Sequence, residues 1–168
     1  MVGAVRAREE FWDAVRGVLD PEVPVLSVVD LGIVRDVREE GDTVVVDVTP
    51  TYSGCPAMRV IEDDITAALK EAGAASVRVN TVFHPVWTTD WISEDARERL
   101  RAYGIAPPTG TAPVTNELIP LQRRVEVISC PRCGSRNTEL RSDFGSTACK
   151  AIWYCVSCAE PFEYLKPI

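Results

Sequence analysis

The stretch Thr49-Pro50-Thr51-Tyr52-Ser53-Gly54-Cys55-Pro56-Ala57-Met58 joins a valine-rich run to a strongly periodic helix pattern. Pro56 suits the first position of a helix, where its missing N–H costs nothing. The spacing then places Cys55 at or beside the N-cap, close to unpaired backbone N–H groups and the positive end of the helix dipole. A thiol in that place is expected to have a lowered pKa and to attack electrophiles or bind metals. The alternative is a buried, inert cysteine.

An amphipathic helix is predicted before this stretch, over Val5–Leu19. Its apolar residues recur at i, i+4, i+7 and i+8 and therefore share one face: Phe11, Val15, Val18 and Leu19. The helix must end near Asp20-Pro21-Glu22-Val23-Pro24, because the two prolines cannot both sit inside it. Asp20 and Glu22 thus lie on a constrained turn, where they could bind a metal or serve a neighbouring thiol. The alternative is that Asp20 caps the turn and Glu22 is solvated.

The pattern that follows predicts a small two-layer domain. The predicted strands and helix, in chain order, are Ile33–Val37, Thr43–Thr49, Pro56–Ala72 and Ser76–Phe83. The first two strands form a hairpin, and Gly73 suits the end of the helix. A strand–helix–strand unit favours a right-handed crossover and parallel pairing of the second and third strands. The fold class is therefore α+β with the order α-β-β-α-β, and Cys55 lies at the carboxyl end of a strand, a usual place for sites in α/β units.

His84 is the only histidine, and it follows the third strand. It would leave the sheet at the end where Cys55 lies, so the two side chains could share a pocket. A lone histidine is more often a packing or hydrogen-bonding residue. A short helix over about Ser93–Tyr103, with Ser93 as its N-cap, completes a first domain that we assign to residues 1–103.

The last part of the chain carries the most specific local motif. Residues 104–124 contain four prolines without a helix or strand pattern and are assigned to a linker. Residues 125–168 then hold two Cys-x-x-Cys pairs separated by twenty-one residues, which predicts a zinc ribbon with a tetrahedral site: Cys130, Cys133, Cys155 and Cys158. A closed four-thiolate site favours structural zinc, with iron as the competing occupant. Cys149 is either a spare buried thiol or an exchangeable ligand.

Composition and charge limit the classes of protein to which the chain can belong. With 46% hydrophobic and 26% charged residues, the chain has the composition of a soluble globular protein. Neither a membrane-spanning run nor a signal peptide is visible, so a cytoplasmic location is expected, where six cysteines indicate metal or thiol chemistry. The net charge is −9 up to Gln122 (11 basic, 20 acidic) and +2 after it (7 basic, 5 acidic). An acidic first domain argues against general nucleic-acid binding, and a membrane partner is likewise not expected.

Several motifs together resemble known families. Three stretches resemble the SufT-like iron–sulfur assembly family, whose domain has a small α/β fold: Asp20-Pro21-Glu22-Val23-Pro24, Val29-Asp30-Leu31-Gly32-Ile33-Val34 and the stretch from Thr49 to Pro56. Three later stretches, together with the ribbon, are similar to the PaaD (PaaJ) family of phenylacetate degradation: Trp87-Thr88-Thr89-Asp90-Trp91-Ile92-Ser93, Gly104-Ile105-Ala106-Pro107-Pro108 and Phe144-Gly145-Ser146-Thr147-Ala148-Cys149-Lys150. The resemblance extends over nearly the whole chain.

This resemblance implies a role beside the multicomponent oxygenase that epoxidises the ring of phenylacetyl-CoA. The SufT-like half implies an accessory protein that helps to install iron–sulfur or diiron centres, with oxygenase components and iron–sulfur carrier proteins as partners. Such proteins have also been labelled oxygenase subunits, but we find neither a Glu-x-x-His pair nor a nucleotide motif, so the chain is not expected to oxygenate substrate itself. The oligomeric state is left open, with a homodimer among the options.

Three hypotheses for Cys55 follow. In the first, its thiolate transiently binds iron or a cluster, with Asp20, Glu22 and His84 as neighbours, and the ribbon docks a client protein. In the second, the chain is a non-catalytic interaction module and Cys55 is structural. In the third, Cys55 is the nucleophile of an enzyme and His84 is its base.

Overall fold

The computed structural model describes residues 2–52, 54–109 and 127–167, with side chains from Glu9 onward. The chain divides into two compact units. The first runs to Trp87 and includes Trp91–Ala96, and the second comprises Thr88–Asp90 and the chain from Arg97. Within the described residues, every helix is too short or too polar to cross a membrane.

The first unit confirms the predicted α-β-β-α-β order. Its elements are α1 (Val2–Arg16), β1 (Val34–Glu40), β2 (Thr43–Val48), α2 (Met58–Glu71) and β3 (Ser76–Thr81). The sheet has the order β1-β2-β3, with β1 antiparallel and β3 parallel to the central strand. Helix α1 contacts α2 and β1, and α2 contacts β3, which gives the expected two layers. The α+β class and the parallel pairing are thus both confirmed.

The core of this unit lies between the helices and one face of the sheet. Alternate residues of β2 are buried on that face: Val44, Val46 and Val48. Helix α2 contributes a fully buried stripe of Ile61, Ile65 and Leu69 at the spacing of one helix face. The amphipathic patterns in the sequence therefore point to the core that forms.

The opposite face of the sheet is not uniformly solvated. Val45 lies on that face, yet its side chain is fully buried. Its cross-strand partners are Arg38 and Arg78, and Glu40 bridges the two guanidinium groups, at 2.9 Å from Arg38 Nε and 3.5 Å from Arg78 Nη1. Arginines at these paired positions can cover the valine with their aliphatic parts while their charged ends reach the surface.

Several element boundaries differ from the prediction, including the end of β1, which lies at Glu40 instead of Val37. Helix α1 ends at Arg16, and Leu19 is 52% exposed because it forms a single β-bridge with Ser27 instead of a last helical turn. Helix α2 begins at Met58 instead of Pro56, after a turn. Strand β3 ends at Thr81, so Phe83 lies beyond the sheet and is 56% exposed.

The second unit contains the predicted ribbon and an unpredicted strand. Its strands are β4 (Ile105–Ala106), β5 (Thr138–Ser142), β6 (Lys150–Cys155) and β7 (Glu160–Leu165), in the order β4-β7-β6-β5. Strand β4 lies in the segment assigned to the linker and pairs parallel with β7. The prediction that this segment contains no strand is therefore wrong. Residues 110–124 of that segment lie outside the described residues, and the linker assignment stays a prediction.

Helix α3 (Glu94–Tyr103) follows the sequence prediction closely. The Ser93 hydroxyl accepts a hydrogen bond from the Ala96 N–H at 3.2 Å, as expected of an N-cap. Gly104 ends the helix with φ at +99°, a conformation that glycine adopts without strain. This turn leads directly into β4.

The ribbon has a small core that includes two of its four motif cysteines. The cluster consists of Ala106, Ile128, Cys130, Ala151, Trp153, Cys155, Phe162 and Tyr164. The rings of Trp153 and Tyr164 meet edge to face with centroids 6.2 Å apart. A core of this size supplies little apolar burial, so a metal that joins the cysteines would contribute much of the stability of this unit.

Replacing Ile65 with Ala is expected to lower the free energy of unfolding by about 2–5 kcal/mol, because a fully buried side chain is truncated. Urea unfolding followed by helical circular dichroism measures the loss. The control is Val60→Ala on the same helix, where the side chain is 47% exposed and a change within about 0.5 kcal/mol is expected. Equal losses in the two variants would contradict the placement of Ile65 in the core.

Candidate functional site

Cys55 lies in the turn that connects β2 to α2. Its N–H donates to the Tyr52 carbonyl at 3.2 Å, and its own carbonyl accepts from the Met58 N–H at 3.4 Å. The N-cap of α2 is Ala57. The helix therefore begins later than predicted, so Pro56 is not its first residue and Cys55 does not lie at or beside its N-cap. The backbone N–H groups of Ala57 and Met58 nevertheless donate to the thiol, as a site at a helix start would require.

The electrostatic environment of Cys55 is opposite to the one predicted. Burial of the half-buried side chain is the largest effect and raises the pKa of the Cys55 thiol. The donated N–H groups of Ala57 and Met58 lower it, and the negative charges of Glu22 and Asp20 raise it again. The net shift is upward, so the expected lowered pKa is wrong. Cys55 is held mainly as a thiol at neutral pH.

The structure brings the predicted carboxylates to Cys55. Asp20 is 6% exposed, and its Oδ1 accepts hydrogen bonds from the N–H groups of Glu22 at 2.8 Å and Val23 at 2.7 Å. Asp20 therefore caps the turn, as one of the two interpretations of the sequence holds, and its charge also acts on the thiol. The turn at Asp20-Pro21-Glu22 thus brings two negative charges close enough to the thiol to raise its pKa.

An open cleft of about 580 Å³ lies at Cys55. Its lining residues are Cys55, Pro56, Met58, Arg59, Glu62 and Asp63. The sequence pattern alone did not connect Arg59, Glu62 and Asp63 with the cysteine. The signal was their spacing of four, seven and eight residues from Cys55, which is that of one helix face.

His84 is not among the residues that line this cleft, and its side chain is exposed. The shared pocket expected for His84 and Cys55 is therefore not a feature of the described cleft. Among the described side chains, the only group of three or more potential metal ligands gathered closely enough for one ion is in the ribbon. Cys55, Asp20 and Glu22 therefore do not form a closed set of ligands around one ion.

The four cysteines of the ribbon come together as predicted. Their sulfur atoms all lie within 4.8 Å of one another, with 3.8 Å between Cys130 and Cys158 and 3.6 Å between Cys133 and Cys155. Zn–S bonds of about 2.3 Å in a tetrahedron would place sulfurs about 3.8 Å apart. Gly134, with φ at +74°, allows the first Cys-x-x-Cys turn to close by donating its N–H to the Cys130 carbonyl at 2.9 Å. These four sulfurs fit a tetrahedral metal ion.

The thiols of this cluster differ in their acidity when no metal is bound. The N–H of Cys158 donates to the sulfur of Cys155 and, with a second donor at Ser157, lowers the pKa of Cys155 to about 7. Burial and the neighbouring sulfurs raise the pKa of Cys158 to about 12. A metal binds the thiolate forms, so it must displace protons from this cluster when it enters.

Cys149 lies outside the four-sulfur cluster. It is buried, and its Sγ lies 3.1 Å from the Thr147 hydroxyl oxygen. The neighbouring Lys150 forms an ion pair with Glu163 at 2.9 Å between Nζ and Oε2. This arrangement matches the spare buried thiol more closely than the exchangeable ligand that the sequence also allowed.

Comparison with known proteins gives two family matches and close relatives. The family model described as "Iron-sulfur cluster assembly protein" matches residues 8–81, and the one described as "PaaD zinc beta ribbon domain" matches residues 115–166. A protein of Escherichia coli (strain K12), provisionally named as one of the subunits of 1,2-phenylacetyl-CoA epoxidase, is 48% identical over 159 residues. The match covers 95% of this chain and 92% of that protein.

Shorter proteins match the first unit. The Fe-S protein maturation auxiliary factor SufT of Staphylococcus aureus (strain USA300) is 37% identical over 85 residues, which cover 49% of this chain and 96% of that protein. The crystal structure of a domain of unknown function, DUF59, from Bacillus anthracis aligns with a TM-score of 0.54 and 27% identity. That alignment covers 59% of this chain and 95% of the other.

The alkylation rate of Cys55 is expected to rise with pH toward a midpoint above the ordinary thiol pKa. Glu22→Gln removes one negative charge beside the sulfur, so it should lower that midpoint and raise the rate at neutral pH roughly two- to fivefold. The measurement is alkylation by iodoacetamide with peptide mapping. Glu71→Gln, at the far end of α2, is the matched control and should leave the rate unchanged. A midpoint below the ordinary value would contradict the upward pKa shift of Cys55.

Protein purified from wild-type cells is expected to carry one metal ion per chain, and Cys155→Ser should lose most of it, because one of four sulfur ligands is removed. Elemental analysis of the purified chains checks this outcome. Cys149→Ser serves as the control for loss of a buried cysteine from the same unit and should retain the metal. Equal metal contents in the two variants would show that the four-cysteine cluster is not the binding site.

Proposed function

The chain belongs to the PaaD family, and from this premise we propose that it is an accessory protein of a phenylacetyl-CoA ring-epoxidising multicomponent oxygenase. In this proposal it assists the maturation of iron–sulfur or diiron centres in the oxygenase through Cys55. The names of its relatives support both parts, since one is named for phenylacetyl-CoA epoxidation and others are Fe-S protein maturation factors. Oxygenase components and iron–sulfur carrier proteins are the proposed partners.

The observation that carries the proposal is the position of Cys55. Its thiol opens onto a cleft at the end of β2, within the part of the chain that matches the iron–sulfur cluster assembly family. Asp20 and Glu22 place negative charge beside it. A cleft that combines one soft sulfur with hard carboxylates suits iron that is bound weakly and then passed on.

The raised pKa of Cys55 gives a reason for this exchange. Burial and the nearby carboxylates disfavour the thiolate when the cleft holds no cation, and an arriving iron cation would offset the negative charges. The thiol would then release its proton and bind, because a nearby positive charge stabilises the thiolate. When iron leaves for the client protein, the carboxylates favour the protonated thiol again. Iron is the cargo in this scheme, and the residues of the cleft set when the sulfur is available.

The ribbon is proposed to hold structural zinc. Cys130, Cys133, Cys155 and Cys158 would bind it and leave no open coordination position, so the metal would stabilise the fold of this unit instead of acting on a substrate. We further propose that the folded ribbon docks the client. This division gives the first unit the metal transfer and the second unit the recognition.

The second candidate function is a non-catalytic interaction module of the oxygenase complex. The observation that favours it is the upward shift of the pKa of Cys55, since a protonated thiol is a poor nucleophile and metal ligand. In this case the ribbon would hold the complex together and Cys55 would be structural. The two candidates differ in what they require of the Cys55 sulfur.

In cells that grow on phenylacetate and lack the native gene, Cys55→Ala is expected to reduce phenylacetyl-CoA oxygenase activity roughly tenfold or more, whereas Cys149→Ser should support activity close to wild type. The measurement combines oxygenase activity in extracts with the iron content of the purified oxygenase. Thermal unfolding of Cys55→Ala confirms that the variant is folded. Full activity with normal iron content would reject the transfer role and favour the interaction module.

A further inference from the structure

We propose that the four-cysteine site of the ribbon is a peroxide-sensitive switch that opens at Cys133. The proposal rests on the metal site proposed for the ribbon and not on the role of Cys55. It concerns the order in which the four sulfurs are attacked, which the geometry of the cluster sets.

The four sulfurs are unequally protected. Cys130 is 2% exposed and Cys155 is fully buried, and both belong to the apolar core of the ribbon. Cys133 is exposed and lies outside that core, and Cys158 is intermediate. A metal bound here would therefore be shielded on the side of Cys130 and Cys155 and open to solvent at Cys133.

Exposure decides reactivity because metal binding keeps all four sulfurs as thiolates. Thiolates are the nucleophilic form of cysteine, and among thiolates of one site the accessible one reacts first with a small oxidant. Cys133 also has a neighbour suited to the second step, since its sulfur lies 3.6 Å from that of Cys155. The first attack and its resolution can thus take place within one cluster.

The chemistry is a two-electron oxidation by hydrogen peroxide. The Cys133 thiolate attacks one peroxide oxygen, the O–O bond breaks, and the products are a sulfenic acid on Cys133 and hydroxide. The Cys155 thiolate then attacks the sulfenic sulfur, an S–S bond forms and a second hydroxide leaves. Two thiolates have lost two electrons, peroxide has gained them, and zinc remains Zn²⁺.

The consequence is loss of the metal and of the ribbon fold. Zinc retains only the sulfurs of Cys130 and Cys158, which are half of a closed site, and is released. Cys155 is a core residue of the ribbon, so a disulfide to the exposed Cys133 also disturbs the packing around Trp153. A dithiol reductant with added zinc reverses both changes. A chain that serves an oxygenase would in this way lose its docking unit when peroxide accumulates.

The first experiment uses the full-length wild-type chain loaded with zinc, its metal content verified beforehand. Substoichiometric N-ethylmaleimide followed by peptide mapping identifies the ligand that reacts first. Cys133 should be labelled roughly tenfold faster than Cys130 and Cys155, because it is the only exposed residue among the three. Equal labelling, or earlier labelling of a buried ligand, would overturn the proposal. A chain that binds no zinc would overturn the metal assignment together with it.

The second experiment treats the same protein with hydrogen peroxide and follows zinc release with a chromogenic chelator. Release should keep pace with a disulfide between Cys133 and Cys155 in the peptide map, and dithiothreitol with added zinc should restore the bound metal. Cys149→Ser, which removes a cysteine outside the cluster, should release zinc at the wild-type rate. Release without that disulfide, or at a rate that depends on Cys149, would reject the mechanism while leaving the zinc site and the role of Cys55 intact.

Discussion

The parallel pairing of β2 with β3 is the constraint on which the candidate site depends. Two neighbouring parallel strands begin at the same end of the sheet, so the chain must return to that end after β2, and α2 makes the return. The turn between β2 and α2 must therefore project from the carboxyl end of β2, and it carries Cys55. Since β2 is the central strand and its valines form the core, this turn starts from a rigid base even though its own residues are partly exposed.

The position of Cys55 is decided by topology, but its pKa depends on burial and on charges from a segment far away in sequence. The turn at Asp20-Pro21-Glu22 is held by hydrogen bonds to the Asp20 carboxylate, and it places two negative charges beside the thiol. Burial and these charges outweigh the N–H groups of the helix start. A position at a helix start is therefore not sufficient to activate a cysteine, because the net pKa depends on every charged group within reach.

Much of this arrangement could be predicted from the sequence. The order of elements followed from local periodicity, the parallel pairing from the strand–helix–strand rule, and the ribbon from the spacing of Cys130, Cys133, Cys155 and Cys158. The direction of the Cys55 pKa shift could not, since it depends on burial and on tertiary proximity to Glu22. Strand β4 was missed because a two-residue strand has no periodicity of its own and exists only through its pairing with β7. The cleft residues Arg59 and Glu62 were missed because the helix was taken as core alone.

The ribbon cluster and the Cys55 cleft use the same type of side chain in two different arrangements. In the ribbon, four sulfurs within 4.8 Å of one another can all be thiolates only when a cation neutralises their charge, so the folded unit favours permanent occupancy. At Cys55 a single half-buried sulfur opens onto a cleft lined by Glu62 and Asp63, and a cation bound there would favour its thiolate without being enclosed. In the proposed function, affinity in the ribbon would come from closure, and release at Cys55 would come from its absence. Such a chain would keep one metal for its fold while it passed another on.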